Sequence, residues 1–107
     1  MEDPHPIIKK IINANQDTYI IFYINGCPYC ENALTLLRKS GVLYKGYDIN
    51  TIKGGMPRLL EILNEYAILI DFDRYHVTKP IIFLNKKFLG GYDELSKHLS
   101  HSIPGSL

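Results

Sequence analysis

Cys27 and Cys30 are the two cysteines of the chain, with two residues between them in Gly26-Cys27-Pro28-Tyr29-Cys30. Two thiols at that spacing, where a strand gives way to a helix, can pass between dithiol and disulfide. The same pair could instead be two core thiols or half of a metal site. Structural zinc needs four soft ligands, and the chain has no second cysteine pair to supply them. Redox chemistry is therefore the leading reading, and no metal ligands are expected. That chemistry needs one thiol open to attack and one shielded, so the neighbouring elements decide how it works.

The run before the pair, Tyr19-Ile20-Ile21-Phe22-Tyr23-Ile24, is apolar without polar alternation. Residues 18–24 are predicted to form a strand buried on both faces, as in the centre of an α/β sheet. Asn25-Gly26 signals a turn. Pro28 suits the first position of a helix, where its missing N–H costs nothing. Cys30, Ala33, Leu34 and Leu37 then repeat at helical spacing, and Gly41 is placed to cap the end. This register puts Cys30 on the buried stripe and Cys27 just outside the first turn. Cys27 is thus the expected nucleophile and Cys30 the resolving thiol. The free N–H groups and partial positive charge of a helix start should favour the Cys27 thiolate, the form that attacks disulfides.

The remaining elements must hold this strand and helix. Ile7, Ile8, Ile11 and Ile12 make one helical stripe, which predicts a first helix within residues 4–15 packing on a sheet. Residues 43–49 read as a second strand, parallel to the first through a right-handed βαβ unit. A loop over 50–57 contains Gly54-Gly55. A helix from about Pro57 then carries Leu59, Leu60, Leu63, Tyr66 and Ala67 on one side and runs to about Ile70. Residues 71–76 read as a helix end and a loop. Residues 80–84 and 87–89 form an antiparallel hairpin around Asn85-Lys86. A last helix spans 93–101 with Leu95 and Leu99 inward, and residues 102–107 are a frayed tail.

Three stretches together carry a resemblance. Cys27-Pro28-Tyr29-Cys30 resembles the dithiol active site of the glutaredoxin family. Thr78-Lys79-Pro80 and Gly90-Gly91-Tyr92-Asp93 look like that family's glutathione-binding motifs, and the three occur in the family's order. The resemblance covers most of the chain. It implies an α/β fold, a thioredoxin-like three-layer sandwich with a four-stranded mixed sheet flanked by helices. It implies a glutathione-dependent thiol–disulfide oxidoreductase that reduces protein disulfides and protein–glutathione mixed disulfides. Glutathione would be a co-substrate, with no cofactor bound permanently. It would be held by Tyr29, Thr78, Pro80, Gly91 and Asp93, and by Lys79 and Tyr92 through their backbones, with the Lys79–Pro80 peptide cis.

The chain departs from the family at named positions. Ile24 stands where glutaredoxins usually have a lysine, three residues before the first cysteine. Lys79 stands where valine is common, and is expected to border the same groove and replace part of the missing charge. The segment 66–77 is longer than expected before the Thr-x-Pro motif. Arg58, and after it Arg74, are candidates for a further cation toward the glycyl carboxylate of glutathione. Two other readings use the same scaffold: a thioredoxin-like reductase fed by a flavoprotein, and a cluster-binding protein in which glutathione helps ligate iron–sulfur. Pro28 should stiffen the first turn and disfavour the second. A redox-inactive interaction module is the remaining class.

Size and charge narrow the setting. The 107 residues make one domain, 1–107, with no room for a second core. A net charge of +1 sets up no field for nucleic acid or an acidic membrane. No apolar run approaches the ~20 residues that span a bilayer. The polar, acid-bearing start does not read as a signal peptide. The expected setting is therefore a reducing one, the cytoplasm. The expected protein is a monomer whose partners are glutathione and disulfide-containing or glutathionylated proteins.

Overall fold

The computed structural model describes residues 3–102, so most of the expected tail, residues 103–107, lies outside the described residues. Helix α1 (Pro6–Ile12) is followed by β1 (Tyr19–Tyr23), α2 (Pro28–Lys39), β2 (Tyr44–Asp48), α3 (Gly55–Glu65) and a single turn, α4 (Ala67–Ile70). The chain ends with β3 (Ile81–Leu84), β4 (Lys87–Gly90) and α5 (Tyr92–Ser102). The strands form one sheet in the order β2-β1-β3-β4. β1 pairs in parallel with β2, and β3 pairs antiparallel with both β1 and β4. This is the mixed four-stranded sheet that the sequence predicts.

Alternation along the central strands decides the layers. Ile20 and Phe22 of β1 face one side with Ile81 and Phe83 of β3. They meet Ile7, Ile8 and Ile11 of α1 and Leu59, Ile62 and Leu63 of α3. Tyr19 and Ile21 face the other side with Ile82, and meet Ala33 and Leu37 of α2 and Leu95 and Leu99 of α5. Helices on both faces explain why β1 carries no polar alternation. Each fully buried large side chain stabilises the fold by roughly 1.5–3 kcal/mol relative to exposure.

Strand direction gathers the candidate residues at one end. The turn after β1 leads straight to Cys27 and α2. β3 starts at that end, with Ile81 opposite Phe22 and Leu84 opposite Tyr19. β4 returns to it, with Lys87 opposite Leu84 and Gly90 opposite Ile82. The approach to β3 and the exit from β4 therefore converge near the cysteines. The far end is tied by Asn85, whose Oδ1 accepts the Asp17 backbone N–H at 2.7 Å and whose Nδ2 donates to the Asp17 carboxylate at 3.1 Å.

Several boundaries differ from the sequence reading. α3 begins at Gly55 rather than Pro57, because Gly54 takes the left-handed conformation (φ 91°) just before it. The helical spacing that runs to Ile70 is broken at Tyr66, and α4 restarts at Ala67 and stops where Asp71 turns left-handed (φ 55°). That break brings both Ile70 and Phe72 into the core, the Phe72 ring 4.9 Å from Phe88 and edge-on to it. α5 begins one residue early, at Tyr92.

Candidate active site

Gly26 holds the turn after β1 in a left-handed conformation (φ 83°) and delivers Cys27 to the start of α2. Glu31 secures the turn by accepting the Gly26 N–H at 3.1 Å. Cys27 caps the helix: its backbone is extended, and its Sγ accepts the Cys30 backbone N–H at 3.4 Å. Its thiol also donates to the Lys79 carbonyl at 3.9 Å. Cys27 is partly exposed and Cys30 has no exposed surface, the division expected from the helical register. Both sulfurs are free thiols. Burial pushes the Cys30 thiol up to about 12, and its hydrogen bond with Cys27 acts in the same direction. A backbone hydrogen bond at Ile24 and the Lys79 charge oppose this less strongly. Cys27 is the sulfur that a disulfide can reach, and Cys30 is held in reserve as a neutral thiol behind it.

A groove of about 210 Å³ is lined by Tyr29, His76, Thr78, Lys79, Pro80, Gly91, Tyr92, Asp93 and Glu94. It includes all seven residues that the motifs assign to glutathione. Tyr29 comes from the first turn of α2; Thr78, Lys79 and Pro80 from the approach to β3; Gly91, Tyr92 and Asp93 from the start of α5. The Lys79–Pro80 peptide is cis. The Tyr29 side chain, 62% exposed, sits with its ring 6.4 Å from that of Tyr92. Chemically the groove offers a backbone carbonyl at Lys79, the N–H-rich start of α5 and the exposed Asp93 carboxylate. Such a set suits a peptide-like zwitterion: an N–H for the carbonyl, a carboxylate for the helix start and an ammonium for Asp93.

Other candidates lie elsewhere. Ile24 packs against the core cluster shared by α1 and α3. Arg58 lies in a separate cavity of about 890 Å³ with His5, Lys10 and Lys53, and pairs with Glu61 at 3.4 Å. That larger cavity contains neither cysteine and none of the motif residues. Arg74 borders Asn64, Glu65 and Tyr66. Neither arginine lines the groove, which corrects their candidacy. Lys79 does line it and is exposed.

Two groove residues escape the sequence reading. Glu94 accepts the Gly91 backbone N–H at 2.8 Å, three residues back. That is capping-box spacing, a signal legible in the sequence. His76 holds its Nε2 3.3 Å from the Pro80 carbonyl oxygen, and no spacing rule announces it. Among the described residues, no three His, Cys, Asp or Glu side chains gather as a metal site. Among the same residues, no helix is long and apolar enough to cross a membrane.

Residues 19–89 match the family model described as Glutaredoxin. A probable glutaredoxin of Acanthamoeba polyphaga mimivirus is 52% identical over 94 residues, covering 88% of this chain and 89% of the relative. Glutaredoxin-1 of Vaccinia virus (strain Copenhagen) is 37% identical over 88 residues, covering 82% of this chain and 75% of the relative. The dithiolic glutaredoxin of Trypanosoma brucei brucei superposes with a TM-score of 0.68 at 24% identity, covering 92% of this chain and 90% of that one. A buckwheat glutaredoxin–glutathione complex gives a TM-score of 0.65 at 22% identity, covering 92% and 82%. These structural likenesses establish the thioredoxin-like sandwich as the fold.

Proposed function

This chain belongs to the glutaredoxin family and is a thiol–disulfide oxidoreductase, and from that premise we propose that it draws its electrons from glutathione. The observation that carries the reading is the groove that Tyr29, Thr78, Lys79, Pro80, Gly91, Tyr92 and Asp93 line together, with the Cys27 thiol hydrogen-bonded to its Lys79 carbonyl. The similar buckwheat glutaredoxin structure is a glutathione complex, which fits the same reading.

With a glutathionylated protein, the Cys27 thiolate attacks the glutathione sulfur. The protein thiolate leaves and takes up a proton, and Cys27 carries glutathione as a mixed disulfide. A second glutathione thiolate attacks the glutathione sulfur of that disulfide, releasing oxidised glutathione and restoring the Cys27 thiolate. With a protein disulfide, Cys27 forms a mixed disulfide to one substrate sulfur while the other leaves as a thiol. Cys30 then attacks the Cys27 sulfur, the first substrate sulfur leaves as a thiol, and Cys27 and Cys30 are joined. Two glutathiones reduce that bond. No permanently bound cofactor takes part. The same reading places the protein as a monomer in a reducing compartment, the cytoplasm, acting on disulfide-containing or glutathionylated proteins.

The test is glutathione-coupled reduction of a small mixed disulfide by the wild type and two variants. Cys27→Ser should abolish turnover of every substrate. Cys30→Ser should keep mixed-disulfide reduction and lose dithiol reduction. Equal loss in both variants would contradict the assigned roles. A wild type that works only with a flavoprotein-reduced dithiol would overturn the glutathione reading.

A further inference from the structure

We propose that His76 is a positioning residue that sets the width of the groove, and so the affinity for glutathione. The inference rests on the glutathione reading above and adds a residue that the motifs do not contain. His76 lies within the stretch between α4 and β3, in the segment that is longer than the family pattern leads one to expect. Its imidazole is half-buried and touches the groove from three directions. Nε2 lies 3.3 Å from the carbonyl oxygen of Pro80, the residue just before β3. Cε1 lies against Gly91, where an added Cβ would meet it at 3.4 Å and the Pro80 carbonyl oxygen at 3.5 Å. The ring stands edge-on to Phe88 of β4, with centroids 5.0 Å apart.

These contacts make the ring a spacer between two walls. One wall is the Thr78-Lys79-Pro80 backbone, whose Lys79 carbonyl faces Cys27. The other is the Gly91-Tyr92-Asp93 start of α5, held by Glu94 on the Gly91 N–H. Glutathione must bridge both, so their separation decides whether its two ends are satisfied together. A carbonyl only accepts, so Nε2 must carry the proton, and the Phe88 contact fixes the ring plane. The hydrogen bond orients the Pro80 peptide, and the ring packs beside Gly91 where the two walls meet.

Two substitutions separate these contributions. His76→Phe keeps an aromatic ring against Phe88 and removes the donor. His76→Gln restores a donor without the ring. With a small mixed disulfide, His76→Phe should raise the KM for glutathione by about 3- to 10-fold, the range of one hydrogen bond, while kcat at saturating glutathione is retained. His76→Gln should recover most of the loss, and Cys27 alkylation by iodoacetamide should proceed at the wild-type rate in both. A wild-type KM in His76→Phe would overturn the inference, as would a His76→Gln equally impaired. A second measurement needs no variant. Nitrogen NMR of the wild-type imidazole should show the Nε2–H tautomer, and the Nδ1–H tautomer would overturn the Pro80 contact. A wild type that ignores glutathione altogether defeats the underlying reading and this inference with it; a wild type that uses glutathione with the Phe variant unchanged defeats the inference alone.

Discussion

At the scale of residues, two sulfurs three positions apart live in different surroundings. Cys30 is pushed up to about 12 chiefly by burial, and that cause persists when Cys27 is tied up in a mixed disulfide. A raised value means the neutral thiol survives to higher pH. The reactive fraction of Cys30 therefore grows about tenfold per pH unit below that value. Closure of the Cys27–Cys30 bond, followed as leaving-thiol release from a preformed mixed disulfide, should accelerate steadily from about pH 6 to about pH 9. A plateau below neutrality would show that Cys30 ionises more easily than its burial implies. Lys79 is exposed, and a surface charge is worth ~1 kcal/mol or less. Lys79→Ala should slow Cys27 alkylation by at most about fivefold, and high salt should erase the difference. The cysteine roles are legible in the sequence because helical register alone places Cys30 inward. His76 is not, because its partner is a carbonyl four residues on, across an irregular stretch with no period to read.

At the scale of elements, turns and breaks matter most. The hairpin tip places Asn85 and Lys86 both in the left-handed region, at φ 50° and 74°. A two-residue turn between twisted strands asks for that conformation, and lysine is the costly occupant of its second position. Lys86→Gly should raise stability by about 0.5–1 kcal/mol, the relief of left-handed strain less the entropy that glycine returns to the unfolded chain. A urea midpoint that stays put or falls would argue against strain at the tip. The hairpin, β1 and α2 were readable from local chemistry: Asn85-Lys86, an unbroken apolar run, and proline then glycine at the two helix ends. The α3–α4 boundary is another matter. Leu63, Tyr66, Ala67 and Ile70 keep helical spacing straight through the break at Tyr66. What interrupts them is tertiary, the placement of Phe72 against Phe88 and Phe83.

At the scale of the whole molecule, one thin sheet serves two cores. Phe22 has no exposed surface and packs against Tyr47 and Phe83, with ring centroids at 5.7 and 6.1 Å. Phe22→Ala should cost about 3–5 kcal/mol. A domain of this kind has about 5–15 kcal/mol in total. The variant should therefore unfold at a much lower urea concentration, and a loss under 1 kcal/mol, roughly the scale of a surface change, would mean the core relaxes around the gap. The fold was legible because the order of elements leaves few ways to cover both faces of β1. The groove was legible only as three separate motifs, since their meeting depends on β3 entering the sheet antiparallel to β1.

That same strand order gives the protein a front and a back. The cysteines emerge where β1 ends, whereas the Asn85-Lys86 tip and its Asp17 partner sit where β1 begins. A tether joined at the tip would hold the molecule to a solid support with its sulfurs facing the solution. Protein immobilised there should turn over a bulky protein disulfide as it does when free. Attachment through Lys79, in the groove wall, should favour small disulfides over large ones.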